Sequence, residues 1–138
     1  MSGAAAFLER WDTEMAARDV APLAELITED CAIHSPAAWE PKRSRAFILD
    51  VLEDMLTVVD GYRRRGAWIV DEDRGIIAEF EGAVGGRSLV GVQRMELDAS
   101  GRMTRIEAWV RPFAGLQALA AAMGERAALR EAGSSEKA

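Results

Sequence analysis

A chain of 138 residues is of single-domain size and long enough to close a hydrophobic core without covalent staples. Its formal charge of −6 argues against a nucleic-acid binder, which neutralises phosphates with clustered Lys and Arg. The one cysteine, Cys31, excludes an internal disulfide and fits a cytoplasmic setting. No signal peptide is expected from the first residues, and no apolar stretch approaches the ~20 residues of a membrane span.

Residues 4–18 are predicted as a helix, because Phe7, Leu8, Trp11 and Met15 recur at three- and four-residue spacing. Asp19 is placed to cap a second, short helix that accepts Pro22 in its first turn and buries Leu23, Leu26 and Ile27. Asp30 ends that helix. Residues 31–35 then form a short strand stopped by Pro36, which has no amide hydrogen for a ladder. Residues 36–43, with two prolines and no period, read as a loop. Ser44 can cap a third helix reaching to about residue 59. Phe47, Val51, Met55 and Val58 make one apolar row and Ile48, Leu52, Leu56 and Val59 the next, with Asp50, Glu53 and Asp54 on the solvent side. Asp60 and Gly61 turn the chain into a strand over residues 62–70, and residues 71–75 turn it again.

Residues 75–112 read as a three-strand antiparallel meander that the rest of the chain covers on one face. Gly85 and Gly86 supply the positive-φ chemistry of a two-residue hairpin turn. Counting outward from it sets Val84 opposite Arg87, Gly82 opposite Leu89, Phe80 opposite Gly91 and Ala78 opposite Gln93. Gln93 therefore shares a face with Ala78, Phe80, Gly82, Leu89, Gly91, Met95 and Leu97, while Glu79, Glu81, Arg94 and Glu96 lie on the other. A turn at residues 98–101 leads into a third strand with Ile106, Ala108 and Val110 on one side and Arg105, Glu107 and Trp109 on the opposite one. After Pro112 the pattern is helical again, with Phe113, Leu116, Leu119, Ala120, Met123 and Ala127 on one stripe.

Helices followed by strands predict an α+β fold: N-terminal helices packed on a strongly curved antiparallel β-sheet, forming a cone with an apolar cavity, and a C-terminal helix. Residues 1–131 are expected to be one domain and residues 132–138 a disordered tail.

In this order of elements the chain resembles the nuclear transport factor 2-like superfamily, in its SnoaL-like branch, over roughly residues 5–128. The resemblance rests on Asp19-Val20-Ala21-Pro22-Leu23, on His34-Ser35-Pro36, on Gly91-Val92-Gln93 with Asp98-Ala99-Ser100-Gly101-Arg102, and on Val110-Arg111-Pro112-Phe113. It implies a curved sheet with an apolar pocket and frequent dimers, but no single chemistry, since one fold hosts many. The meander also resembles that of ketosteroid isomerases. By that likeness the family's oxyanion-hole aspartate falls on Gln93, its general-base aspartate on Ser35 and its oxyanion-hole tyrosine on Trp11. Hydrogen-bond donors survive in Gln93 and Trp11, but the base does not, which disfavours ketosteroid-type isomerisation. Limonene-epoxide-hydrolase-like chemistry is disfavoured too, because Glu79-Phe80-Glu81 lacks an Arg-x-Asp pattern and Arg111 stands in the region of the later aspartate.

The expected ligand-binding residues are Trp11, Ser35, Phe80, Leu89, Gln93, Met95, Ile106, Ala108 and Val110, with Phe47 and Val51 of the third helix as a lid. The catalytic candidates are Gln93, Trp11 and His34, the sole histidine. Alternation aims His34 away from Ile33 and Ser35, although a bulge at Pro36 would reverse that. Arg64 is expected to share a side with Tyr62 and Trp68 and to pair with Glu79 or Glu81. One histidine and one cysteine give no metal site, and no cofactor is expected. Val90, Val92, Glu107 and Trp109 on the outer sheet face suit a homodimer interface. The sequence thus reads as a binder of a small apolar ligand. As an enzyme it would be a cofactor-independent isomerase, cyclase or hydrolase acting on a steroid-, terpenoid- or polyketide-like substrate. The alternative is a non-catalytic binding or dimeric interaction module with a vestigial cavity.

Overall fold

The computed structural model describes residues 2–137. The chain runs α1 (Gly3–Ala16), a 3-10 turn (Ala21–Leu26), β1 (Ile27–His34), β2 (Lys42–Arg43), α2 (Arg45–Val58), β3 (Asp60–Val70), β4 (Gly75–Val84), β5 (Arg87–Leu97), β6 (Met103–Arg111) and α3 (Phe113–Lys137). The six strands form one sheet in the order β2-β1-β6-β5-β4-β3, antiparallel throughout except where β1 runs parallel to β6. Helices pack on one face of this curved, unclosed sheet.

The meander forms in the expected register, from Val84 opposite Arg87 to Ala78 opposite Gln93. Gly85 and Gly86 both take positive φ, 55° and 80°, which turns the chain without splaying the strands. Ser44 caps α2 by accepting a hydrogen bond from the Phe47 N–H at 3.1 Å.

Four expectations change. The second helix is a single 3-10 segment whose N-cap is Val20, not Asp19, and Ile27 leaves it to pair with Met103 on β6. Asp30 accordingly lies inside β1, where the register with β6 shifts. The loop after Pro36 contains a short edge strand, β2, paired with Ala32 and Ile33. β3 carries a bulge at Arg65: Arg64 pairs with Phe80 but Gly66 with Glu79, so Arg64 faces inward and Trp68 outward. The helix α3 runs to Lys137; Ala138 lies outside the described residues.

The turn from β3 to β4 places Asp71, Glu72 and Asp73 in the left-handed region, at φ 53°, 50° and 73°. Such residues cost about 1–2 kcal/mol each without glycine. Part of that is offset at α1, where the Gly3 N–H donates to Asp73 Oδ2 at 3.0 Å and the Ala4 N–H to its Oδ1 at 3.4 Å. The core then closes around Trp11, Leu23, Ile27, Ile48, Ile76, Leu89, Met95 and Met103, all fully buried.

Asp54 was expected at the surface and is only 4% exposed. It joins α2 to α3: Arg126 Nε donates to its Oδ1 at 3.2 Å, and Arg130 donates through Nε and Nη2 at 2.8–3.1 Å. Burial pushes the Asp54 carboxyl up, but the hydrogen bonds and charges of Arg130 and Arg126 outweigh it and hold it below its ordinary value. Removing the carboxylate takes Asp54 from Arg126 and Arg130, although Arg130 keeps Asp50 and Glu53, so Asp54→Asn should lower stability by about 2 kcal/mol in urea unfolding at neutral pH. A carboxyl that ionises more readily folded than unfolded stabilises fully above its unfolded pKa and loses that contribution as pH falls through its folded one. The wild-type advantage over Asp54→Asn should therefore be constant at neutral pH and shrink on acidification below about pH 4.

Candidate functional site

The inner face of the sheet is organised in rows. One row aligns Ala67, Ala78, Gln93 and Ala108; the neighbouring row aligns Arg64, Phe80, Gly91 and Val110. Gln93 is 4% exposed and stands among small residues, with Met95 and Ile106 beyond it. With Asp54 it is one of two buried polar residues among the described ones.

Above this face α1 packs against β4 and brings Trp11 down onto the core. Its indole stacks on Phe7 with ring centroids 5.5 Å apart, and its Nε1–H is wholly buried without an acceptor. Such a group costs about 1–3 kcal/mol to leave unpaired, so its persistence in a core position asks for a partner.

The next residue on α1, Asp12, reaches the other way, and its Oδ1 lies 2.6 Å from Arg64 Nη2. Arg64 therefore pairs with α1 rather than with Glu79 or Glu81; it is Arg63, on the outer face, that bonds Glu81, with its Nε donating at 3.1 Å. Arg64 Nε and Nη1 are buried and without acceptors. Burial pushes the Asp12 carboxyl above its ordinary value, against the opposing charge of Arg64. Tyr62 packs on Phe80 at 5.5 Å beside this pair, and burial pushes its phenol up to about 12, Arg64 opposing and Asp12 adding.

Sequence reasoning missed Asp12 and misplaced the partner of Arg64. The signal was present for the first: Asp12 lies four residues after Leu8 and three before Met15, within the apolar stripe of its helix.

Of the expected site residues, Trp11, Phe80, Leu89, Met95, Ile106 and Val110 meet in one core, and Gln93 and Ala108 join them by register. Others do not. Ser35 is exposed past the end of β1. His34 aligns with Glu107 on the outer rows while Ile33 aligns with the inner Ile106, so no bulge turns it inward. Phe47 and Val51 are half-buried on α2 outside the core cluster, and Lys42 Nζ sits 4.3 Å above the Phe47 ring.

Part of the concave face is covered by side chains. The Phe80 ring bends over Gly91, where any Cβ would collide with it, and Tyr62 packs on the same ring. Of two open surface grooves, about 570 and 890 Å3, the first is lined by Arg63, Glu81 and Arg111 among others and includes one expected residue, Leu89, and the second is lined by Glu29, Asp30, Arg43 and Leu49 among others. No helix among the described residues is long and apolar enough to cross a membrane.

A curved sheet wrapped on one side by helices, with polar groups held on its concave apolar face, defines a cone-fold protein. Comparison with solved structures gives a steroid delta-isomerase from Pseudomonas aeruginosa at 33% identity and TM-score 0.91, covering 96% of each chain. An NTF2-like protein of unknown function from Mesorhizobium loti aligns at 18% identity and TM-score 0.69, over 80% of this chain and 92% of that one. An epoxide hydrolase/cyclase-like enzyme with a role in pyran ring formation aligns at 12% identity and TM-score 0.66, over 81% and 92%; these last two show the fold alone. No protein-family model and no curated protein matches the chain. The chain belongs to the nuclear transport factor 2-like superfamily, among the SnoaL-like proteins with the ketosteroid isomerase-like cone.

The packing of Phe80 on Gly91 can be tested as a thermodynamic cycle. Gly91→Ala should cost about 2 kcal/mol by overpacking and Phe80→Ala about 3 kcal/mol by cavity formation. Gly91→Ala should become nearly neutral in the Phe80→Ala background, which urea unfolding of the four proteins would show as strong non-additivity.

Proposed function

We propose that the concave face of the sheet binds a small, mostly apolar molecule through a polar oxygen, and that Trp11 and Gln93 are the donors that meet it. The observation that carries this reading is the fully buried Trp11 Nε1–H without an acceptor, on the side of the sheet where Gln93 presents an amide. The ring of Phe80 must move off Gly91 to admit a ligand, with Tyr62 following. The 33% identical relative is a steroid delta-isomerase, which supports a steroid-like, ring-bearing substrate and an isomerisation. In such a reaction the Trp11 and Gln93 donors polarise a carbonyl or epoxide oxygen, lowering the cost of charge that develops on it. His34 has no part in this reading because of its outer-face position.

Gln93→Leu separates this role from a structural one. Leucine fills much the same space without the amide, so the substitution should change unfolding stability by less than about 1 kcal/mol while weakening ligand binding at least tenfold. The measurement is thermal unfolding beside calorimetric titration of steroid, terpenoid and aromatic polyketide-like panels. A destabilised Gln93→Leu protein that binds normally would remove Gln93 from the site. The cover of Phe80 and Tyr62 over Gly91 favours the second reading, a non-catalytic interaction module, and failure of every panel compound to bind both wild type and Phe80→Ala would select it.

The outer face supports a homodimer under either reading. Trp109 pairs with Val92, the Trp68 ring lies against Gly66 on the same band, and the two indoles are 48% and 52% exposed. Ion pairs, Arg94 with Glu96 and Arg105 with Glu107, flank the patch. Light scattering should give twice the chain mass for wild type and the single chain mass for Trp109→Glu, with unchanged helicity.

A further inference from the structure

Arg64 is a cation placed more deeply than its counter-ion. Its side chain is 21% exposed, against 43% for Asp12, and the single contact between them uses Nη2. Nε and Nη1 remain buried without acceptors, and the guanidinium stacks on no aromatic ring among the described residues. The half-solvated Asp12 is screened by water on its outer side, so the field of Arg64 is only partly cancelled toward the interior.

The row geometry says what kind of molecule this serves. Arg64 lies on β3 in the row of Phe80 and Gly91, and Gln93 lies on β5 one inner row further along. Two strand spacings across and one row along put their backbones about 12 Å apart, a gap that the two long side chains shorten. Between them are Phe80, Ala78 and Gly91, which offer apolar surface and no donors. A molecule lying along this diagonal meets a cation at one end, an apolar floor in the middle, and neutral donors at the other.

Resting on the reading of the concave face as a ligand site, we propose that its ligand is an apolar acid about two fused rings long, whose carboxylate is held by Arg64. The neutral donors at the far end then receive a second, uncharged oxygen or remain hydrated. Asp12 competes for the same guanidinium and sets how tightly the acid is held. Arg64 is thus a specificity residue: it selects anionic over neutral compounds of the same shape.

The test compares 2-naphthoate with 2-naphthalenemethanol by calorimetric titration at pH 7.5, using the full chain and, to provide room, its Phe80→Ala variant. The naphthoate should bind at least tenfold more tightly than the alcohol. Arg64→Gln should abolish that preference and leave the alcohol unchanged, while Asp12→Asn, which removes the competing anion, should tighten naphthoate several-fold. A gain of affinity in Asp12→Asn cannot come from misfolding, so this arm stands even if Arg64→Gln is unstable. Equal binding of the two compounds, or naphthoate weakened by Asp12→Asn, overturns the proposal while leaving the concave face as a site for neutral ligands. Binding of neither compound to either protein overturns both the proposal and the ligand-site reading.

Discussion

The inner face depends on one constraint, the pairing of β4 with β5 from Gly75 opposite Glu96 to Val84 opposite Arg87. Because side chains alternate with a period of two, a slip of one residue would send Gln93, Met95 and Leu89 to the outer face and bring Arg94 and Glu96 into the core. Gly85 and Gly86 set that pairing locally, and the burial of every second residue enforces it globally. Local turn chemistry and long-range packing thus specify the same register, and the position of Gln93 between Ala78 and Ala108 follows from both.

Much of the fold was legible because it rests on such local rules. The hairpin, the Ser44 cap of α2 and the alternation of β6 each follow from a few adjacent residues. What escaped was set by contacts distant in sequence. The parallel pairing of β1 with β6 depends on residues more than seventy positions apart, and it draws Ile27 out of a helical pattern. The bulge at Arg65 leaves no mark in a run of three arginines, yet it decides that Arg64 points in and Trp68 out. Asp12 and Asp54 are different, since each meets arginine from another element. Asp54 lies beside Asp50 and Glu53 and carried no sign of its burial, whereas a carboxylate within an apolar stripe, as Asp12 is, is itself a signal, because its burial is tolerable only with a partner.

The two acid–base contacts of Asp54 and Asp12 do opposite things for the same reason. Asp54 is more buried than Arg126 and Arg130, and their combined hydrogen bonds satisfy it from two directions. That contact is closed, and it serves to fix α3 on α2. At the other contact the arginine is the deeper partner, and it is met from one direction by a single oxygen. An ion pair with unused donors on its buried side is poor as a structural tie, because desolvation of the cation is only partly compensated.

Ketosteroid-type chemistry needs a carboxylate on the concave side, and the sequence resemblance would put Gln93 and Ser35 where that family has its acids. The structure puts a carboxylate at the margin of the face by another route, from α1 through Asp12. It is tied to Arg64, and burial holds its pKa above the ordinary value. A base bound to an arginine is weakened by it, whereas an arginine with free donors can still accept an anion. The chemistry available is therefore weighted toward binding and polarisation: Trp11, Gln93 and Arg64 are all donors. A concave face furnished with donors suits a ligand that brings its own oxygen atoms, and that preference survives whether or not the bound molecule is then transformed.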